Sequence, residues 1–177
     1  MASPKLIALL CAGSQMGSTG GGTNRAVLSR SELAGLLSGA SEAAMDFAYA
    51  AYALDLDAER MLIARVRVAA ANLANAQKWE IVKGRPTVSN LSAIAVFEVV
   101  RPLVHKECGG VGCRLCGMTG TKLLSVRTIA AAAGLSKDDF HRNWQDRYRQ
   151  ILKIVCELDA EVQGVLARAD SGRREAL

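Results

Sequence analysis

The chain has 177 residues, half of them apolar, and a net charge of +5. That length suits one domain or two small ones, and the apolar half suffices for a packed core. Alanine is abundant and aromatic residues are few, a bias that favours helices over sheets. No apolar run approaches the ~20 residues of a membrane-spanning helix, so no membrane partner is expected.

Residues 1–30 read as a flexible lead. Lys5 to Cys11 resembles a very short signal peptide, but its apolar core is short and Leu10 before Cys11 is a poor cleavage context. A cytoplasmic location is therefore expected. The stretch from Gly13 to Thr23, GSQMGSTGGGT, has the composition of a linker.

Residues 31–104 read as a small helical bundle. Ser41 can cap a helix with Ala44, Met45, Ala48 and Tyr52 on its apolar side, and Asp57 can cap the next. Leu62, Val66, Ala69, Leu73 and Ala76 step by three and four along that second helix, until Lys83-Gly84-Arg85-Pro86 breaks the pattern. A third helix is expected from Asn90 or Leu91 to Val100 or on past Pro102, where the missing amide hydrogen would kink or end it. The acids Glu42, Asp46, Asp55, Asp57 and Glu59 are scattered. They suit caps and solvated faces, so no catalytic centre is expected and the chain does not read as an enzyme.

Residues 105–121 carry the most distinctive pattern. His105 and Cys108 are followed, after four residues, by Cys113 and Cys116. Two thiolates separated by two residues can hold one zinc ion from a tight turn, and a Cys₃His set would close a tetrahedral, structural site. The glycines at 109, 110, 112, 117 and 120 allow the sharp bends that such a knuckle needs. A redox Cys-x-x-Cys or unliganded thiols remain alternatives, although no strand precedes the motif as in a redox fold. Cys156, among Ile154, Val155 and Leu158, reads as a core thiol.

Residues 122–168 read as a helix-turn-helix followed by a long C-terminal helix, and 169–177 as a flexible tail. Ala130 would sit where two helices touch, Gly134 in the turn and Ser136 at the second cap. Ile129, Leu135, Phe140 and Trp144 would form the small core. The outer face would then show Ser136, Lys137, His141, Arg142 and Gln145, donor-rich side chains able to read base edges in double-stranded DNA. Arg127 and Arg149 would contact phosphates. From Arg114 to Lys153 there are eight basic residues against three acids, an excess equal to that of the whole chain, as a polyanion-binding face requires. Asp138, Asp139 and Asn143 fit this pattern less well, and a helical hairpin with a merely solvated exterior is the competing reading.

The order of parts is similar to that of the lambda-type Q late-gene antiterminators of tailed phages. That order is a helical N-terminal part, a Cys-x-x-Cys-x-x-x-Gly knuckle at Cys113, Cys116 and Gly120, a helix-turn-helix, and a closing helix containing Cys156. The resemblance spans roughly Leu36 to Arg168 and is clearest from Val99 to Leu166. It departs from the family in the first knuckle, where His105 and Cys108 stand in place of a Cys-x-x-Cys pair. The resemblance implies a mainly α fold, a small helical bundle with an inserted zinc knuckle and a helix-turn-helix. It further implies an antiterminator that binds promoter-region DNA, engages bacterial RNA polymerase with its sigma factor, and suppresses pausing and termination. A zinc-containing DNA-binding regulator without antitermination is the alternative, with a DnaJ-like chaperone or thiol oxidoreductase behind it.

Overall fold

A computed structural model of the chain describes residues 30–53, 55–81, 86–108 and 124–175, and the protein is mainly helical, with no strand among them. Helices α1 (Arg30–Leu36), α2 (Glu42–Tyr52), α3 (Leu56–Ala76) and α4 (Thr87–Cys108) precede α5 (Val126–Ala132) and α6 (Lys137–Asp139). α6 continues through a π-helical segment, Phe140–Trp144, into the long α7 (Gln145–Glu175).

Local chemistry sets these boundaries. Ser41 caps α2, its hydroxyl accepting from the Ala44 amide at 3.2 Å. Asp55, two residues before the aspartate that the sequence suggested, caps α3 by accepting from the Asp57 and Ala58 amides at 2.9 and 3.0 Å. Each such cap is worth about 1 kcal/mol. Asp57 and Glu59 then lie in the first turn of α3, where the helix dipole favours negative charge.

Tertiary packing does most of the rest. The buried face of α3 is Ala58, Leu62, Val66, Ala70 and Ala74, one residue per turn. Small residues there, with Ala44, Ala48, Ala51 and Ala95 on its neighbours, let helix axes approach towards the ~8 Å limit of close packing. Larger side chains fill the space between: Phe47, Leu62, Leu91, Val96, Val100, Ile151, Val155 and Val162 are all essentially inaccessible to solvent. α3 packs on α2 and α4, and α7 packs on all three. The apolar stripe of α7 thus joins the C-terminal half to the bundle, as its spacing suggested.

Polar links fix the register of this packing. The Ser41 amide and hydroxyl both donate to Glu161 on α7, at 2.7 and 3.0 Å. Arg101 on α4 donates to both carboxylate oxygens of Glu59 on α3, at 2.8 and 2.7 Å, while its guanidinium lies 5.3 Å from the centre of the Phe97 ring. Arg65 bridges Asp46 at 2.7 Å and Glu42 at 2.8 Å. The Tyr148 hydroxyl donates to the Glu98 carboxylate, tying the start of α7 to α4.

Other local features differ from the sequence reading. α1 precedes the first helix that the periodicity suggested. α4 starts earlier than expected, at Thr87, and takes the longer of its two expected courses, through Pro102 to Cys108, its contacts with α3 and α7 outweighing the ladder bond that proline cannot make. α7 stays helical to Glu175, through most of the stretch expected as a tail. Cys156 is exposed rather than a core thiol, because the buried stripe passes through Val155 beside it. No helix among the described residues is long and apolar enough to cross a membrane.

Candidate nucleic-acid interface

The segment from Ser125 to Arg149 is built by two serine caps and one glycine. The Ser125 hydroxyl accepts from the Thr128 amide at 3.2 Å and starts α5. α5 ends in a left-handed turn at Gly134, φ +71°. There the Gly134 amide donates to the Ala131 carbonyl at 3.0 Å and the Leu135 amide to the Ala130 carbonyl at 2.9 Å. This paired pattern is a Schellman closure, whose left-handed position glycine fills without strain. Two residues later the Ser136 hydroxyl accepts from the Asp139 amide at 3.1 Å and starts α6.

The two short helices have almost no core of their own. α5 buries Ile129 and Ala130, and α6 buries nothing. They are seated by the π-helical segment, which turns Phe140 and Trp144 inward. Phe140 meets the Tyr148 ring at 5.9 Å, and Trp144 meets Trp79 edge-to-face at 6.3 Å and 87°. Arg147 lies over both indoles, 5.0 Å from the Trp144 ring centre and 5.7 Å from that of Trp79, and donates to the Glu80 carbonyl at 3.3 Å. Trp79 itself is placed by the Schellman closure that ends α3 at Lys78. Sequence reasoning missed this aromatic seat. The one signal for it was that Trp79 and Trp144 are the chain's two tryptophans.

Of the candidate DNA contacts, Arg127, Ser136, Lys137, His141, Arg142 and Arg149 are exposed and Gln145 is half-buried. All but Arg127 lie on the one continuous helical run that begins at the Ser136 cap. His141 Nδ1 lies 3.0 Å from the Gln145 side-chain oxygen, one turn further along the same face. Arg149 pairs with Asp146 at 2.9 Å, an exposed contact that is worth little. Among the described residues, Arg127, Lys137 and Arg142 enter no ion pair, so their charge is uncompensated at short range. Arg147, by contrast, is committed to the aromatic seat.

The residues that fitted least well find local roles. The Asn143 amide donates to the Asp139 carboxylate at 2.8 Å, one turn away, and Asn143 faces solvent. Asp138 and Asp139 stand in the first turn of α6, beside the positive end of the helix dipole.

The proposed zinc ligands divide. His105 and Cys108 lie in the last turns of α4, one turn apart along its backbone. Cys113 and Cys116 lie outside the described residues. Among the described residues no group of three or more His, Cys, Asp or Glu side chains is gathered as a metal site would require.

Comparison of the chain with protein-family models, with curated proteins and with solved structures yields no match.

Proposed function

We propose that the chain is a DNA-binding transcription regulator that lays the helix beginning at Lys137 into the major groove of duplex DNA. One observation carries this reading. The α5–turn–α6 unit is closed by a left-handed glycine at the turn and a serine cap three residues before Asp139. The helix so started carries Lys137, His141 and Arg142 outward, with no carboxylate paired to either cation among the described residues. Donors of this kind read base edges, and unpaired cations attract phosphate. Gln145 extends the same face, Arg127 and Arg149 supply phosphate contacts, and Ser136 adds a hydroxyl at the helix start.

The resemblance to the lambda-type Q family refines this to antitermination. The protein would bind DNA overlapping a late promoter, load onto RNA polymerase paused there with its sigma factor, and travel with it. The polymerase contact would fall on residues 41–104, since the basic segment is committed to DNA. A zinc ion held by Cys113, Cys116, Cys108 and His105 would staple the glycine-rich segment between α4 and α5, and so fix the angle of the reading helix.

Selection of bound duplexes from a random pool by the full chain tests the DNA reading. Arg142→Ala is expected to weaken the selected duplex by about 1–3 kcal/mol while sparing unrelated DNA. Arg149→Ala should weaken all duplexes alike and reduce the salt slope by about one. No retention of any duplex at low salt would defeat the proposal. Transcription through a terminator then separates the two regulatory readings: an antiterminator raises read-through, whereas a repressor lowers initiation and leaves read-through unchanged. Metal analysis should find about one zinc per chain, with DNA binding lost on chelation. Metal-free protein that binds DNA equally well would remove zinc from the scheme.

A further inference from the structure

The bundle and the α5–α6 unit do not close completely on one another. A cleft of about 410 Å³ lies where they meet, a size within the ~300–1,000 Å³ of small-molecule sites. Glu80 and Thr87 line it from the bundle, and Leu135, Asp139, Trp144 and Arg147 from the other side. None of these is among the proposed DNA contacts.

One part of the wall lacks an anion. Thr87 is only 3% exposed, yet its hydroxyl has no hydrogen-bond partner among the described residues, a costly state for a buried polar group. It opens α4, a helix of 22 residues. Pro86 before it accepts the first helical bond, from the Asn90 amide at 2.8 Å. A proline side chain holds no acceptor, so it cannot cap the first-turn amides as Ser41, Asp55, Ser125 and Ser136 do for their helices. No acid stands in that turn either, which leaves the positive helix end open at Thr87. Arg147 adds a guanidinium that enters no ion pair among the described residues. Another part of the wall lacks a cation. The Glu80 carboxylate has no partner among the described residues, and the Asp139 carboxylate accepts from the Asn143 amide alone, through one of its oxygens. Arg147 does not fill that need, because the two indoles and the Glu80 backbone carbonyl hold it beyond ion-pair distance of the carboxylates.

We propose that this cleft binds a free α-amino acid with an apolar side chain. The ligand carboxylate takes the Thr87 hydroxyl, the open end of α4 and Arg147. Its ammonium group takes Glu80 and the spare oxygen of Asp139, and its side chain lies against Leu135 and Trp144. Charge selects this class over simpler ones. A phosphate or a lone carboxylate would meet Glu80 and Asp139 with no cation of its own, and a simple amine or a metal ion would meet Arg147 and the positive helix end. A zwitterion answers both parts of the wall, and the apolar pair selects among zwitterions. The proposal does not depend on DNA binding.

The test titrates the full chain with L-leucine, L-isoleucine, L-methionine and L-phenylalanine. Tryptophan fluorescence reads the result, since Trp144 lines the cleft and Trp79 packs on it. At least one should bind saturably, with a dissociation constant on the order of 0.1–1 mM, and raise the melting temperature as its concentration rises. The N-acetyl derivative and the amide of that amino acid, each with one charge removed, should bind roughly tenfold more weakly. Thr87→Val keeps the shape of the side chain and removes an unpaired hydroxyl, so the fold should hold while affinity falls roughly fivefold or more. Glu80→Gln, at an exposed side chain, should weaken the amino acid similarly and bring its N-acetyl derivative level with it. Absence of binding by all four at about 10 mM, equal binding of the amino acid and both derivatives, or affinity untouched by both substitutions would overturn the proposal.

Discussion

The α2–α3–α4 bundle and the α5–α6 unit differ in what holds them. Every turn of α3 buries a side chain between two helices, whereas α5 buries two residues and α6 none. The bundle is fixed by its own close-packed alanines, leucines and valines. The smaller unit is fixed by caps, one glycine turn, and a seat made by Phe140, Trp144, Tyr148 and Trp79. An element with so little core is free to present polar side chains outward, but its orientation is borrowed from α4 and α7. Stability and the candidate reading face therefore reside in different parts of the chain.

The largest expected effects test that separation. Leu62→Ala empties a fully buried site in the second turn of α3 and should cost about 2–5 kcal/mol. Because both tryptophans lie at the seat, their fluorescence reports that junction, while far-ultraviolet circular dichroism reports helix content. In Leu62→Ala the two urea transitions should shift together. Phe140→Ala should cost about 3–5 kcal/mol at the seat and bring the fluorescence transition ahead of the dichroism transition. Coincident transitions in Phe140→Ala would mean that bundle and reading unit form one cooperative body, and the comparison would fail.

The hydrogen bond from Tyr148 to Glu98 joins the two regions, so its loss comes next in size. Tyr148→Phe leaves the ring in place and should cost about 1.5–3 kcal/mol, the range for a bond to a charged acceptor. The same contact predicts a pH dependence. Burial first, then the Glu98 carboxylate that accepts its proton, hold the Tyr148 phenol well above its ordinary value of 10.0. The folded chain therefore keeps this proton where the unfolded chain loses it. The contribution is fully present below pH 10.0 and declines as pH rises beyond that. Cys156 acts in the same direction from a lower starting point: desolvation, then Asp159, Glu98 and Glu157, raise its thiol above 9.0. Denaturation midpoints taken through the alkaline range should fall in the parent, fall less in Tyr148→Phe, and begin their fall later in Cys156→Ser. An alkaline profile unchanged by either substitution would show that neither group titrates differently on folding.

What was legible in the sequence follows the same division. The helices of the bundle were readable because apolar residues at steps of three and four, between caps and a breaker cluster, are a local signal repeated over many turns, but the buried face was only half right: beyond Leu62 and Val66 it runs through Ala70 and Ala74, not Ala69, Leu73 and Ala76. Gly134 in the turn and Ser136 at the second cap were readable for a related reason, since each answers a backbone requirement in its immediate neighbourhood. The aromatic seat was not, because Trp79 meets Trp144 across sixty-five positions of the chain and no periodicity links them. Nor was the π-helical segment at Phe140–Trp144, since residues four apart share a face of an ordinary α-helix as well and no spacing marks the wider turn. Arg147 counted towards the basic face on charge alone, yet it lies over two indoles. Cys156 looked buried because its neighbours are apolar, but one residue of rotation on a helix is enough to expose it.

The smallest effects come from a pair of matching turns. α3 and α5 both end in a Schellman closure, with the left-handed position filled by Lys78 (φ +52°) in the first and Gly134 (φ +71°) in the second. A Cβ at Gly134 would meet nothing within 4 Å, so Gly134→Ala is penalised through backbone conformation alone, by about 1 kcal/mol. The mirror change, Lys78→Gly, should relieve a similar strain and stabilise the chain by up to about 1 kcal/mol, less whatever entropy glycine adds to the unfolded state. Neither residue lies among the proposed DNA contacts, so base specificity gives the sharper reading of the pair. Gly134→Ala loosens the turn that sets the reading helix and should weaken specific duplex binding beyond its cost in stability. Lys78→Gly, which acts on the turn that places Trp79, should leave specificity unchanged while raising the melting temperature. If both variants changed melting in opposite directions and left DNA discrimination alike, the turn at Gly134 would be a structural closure only, and the reading face would have to be sought on another surface.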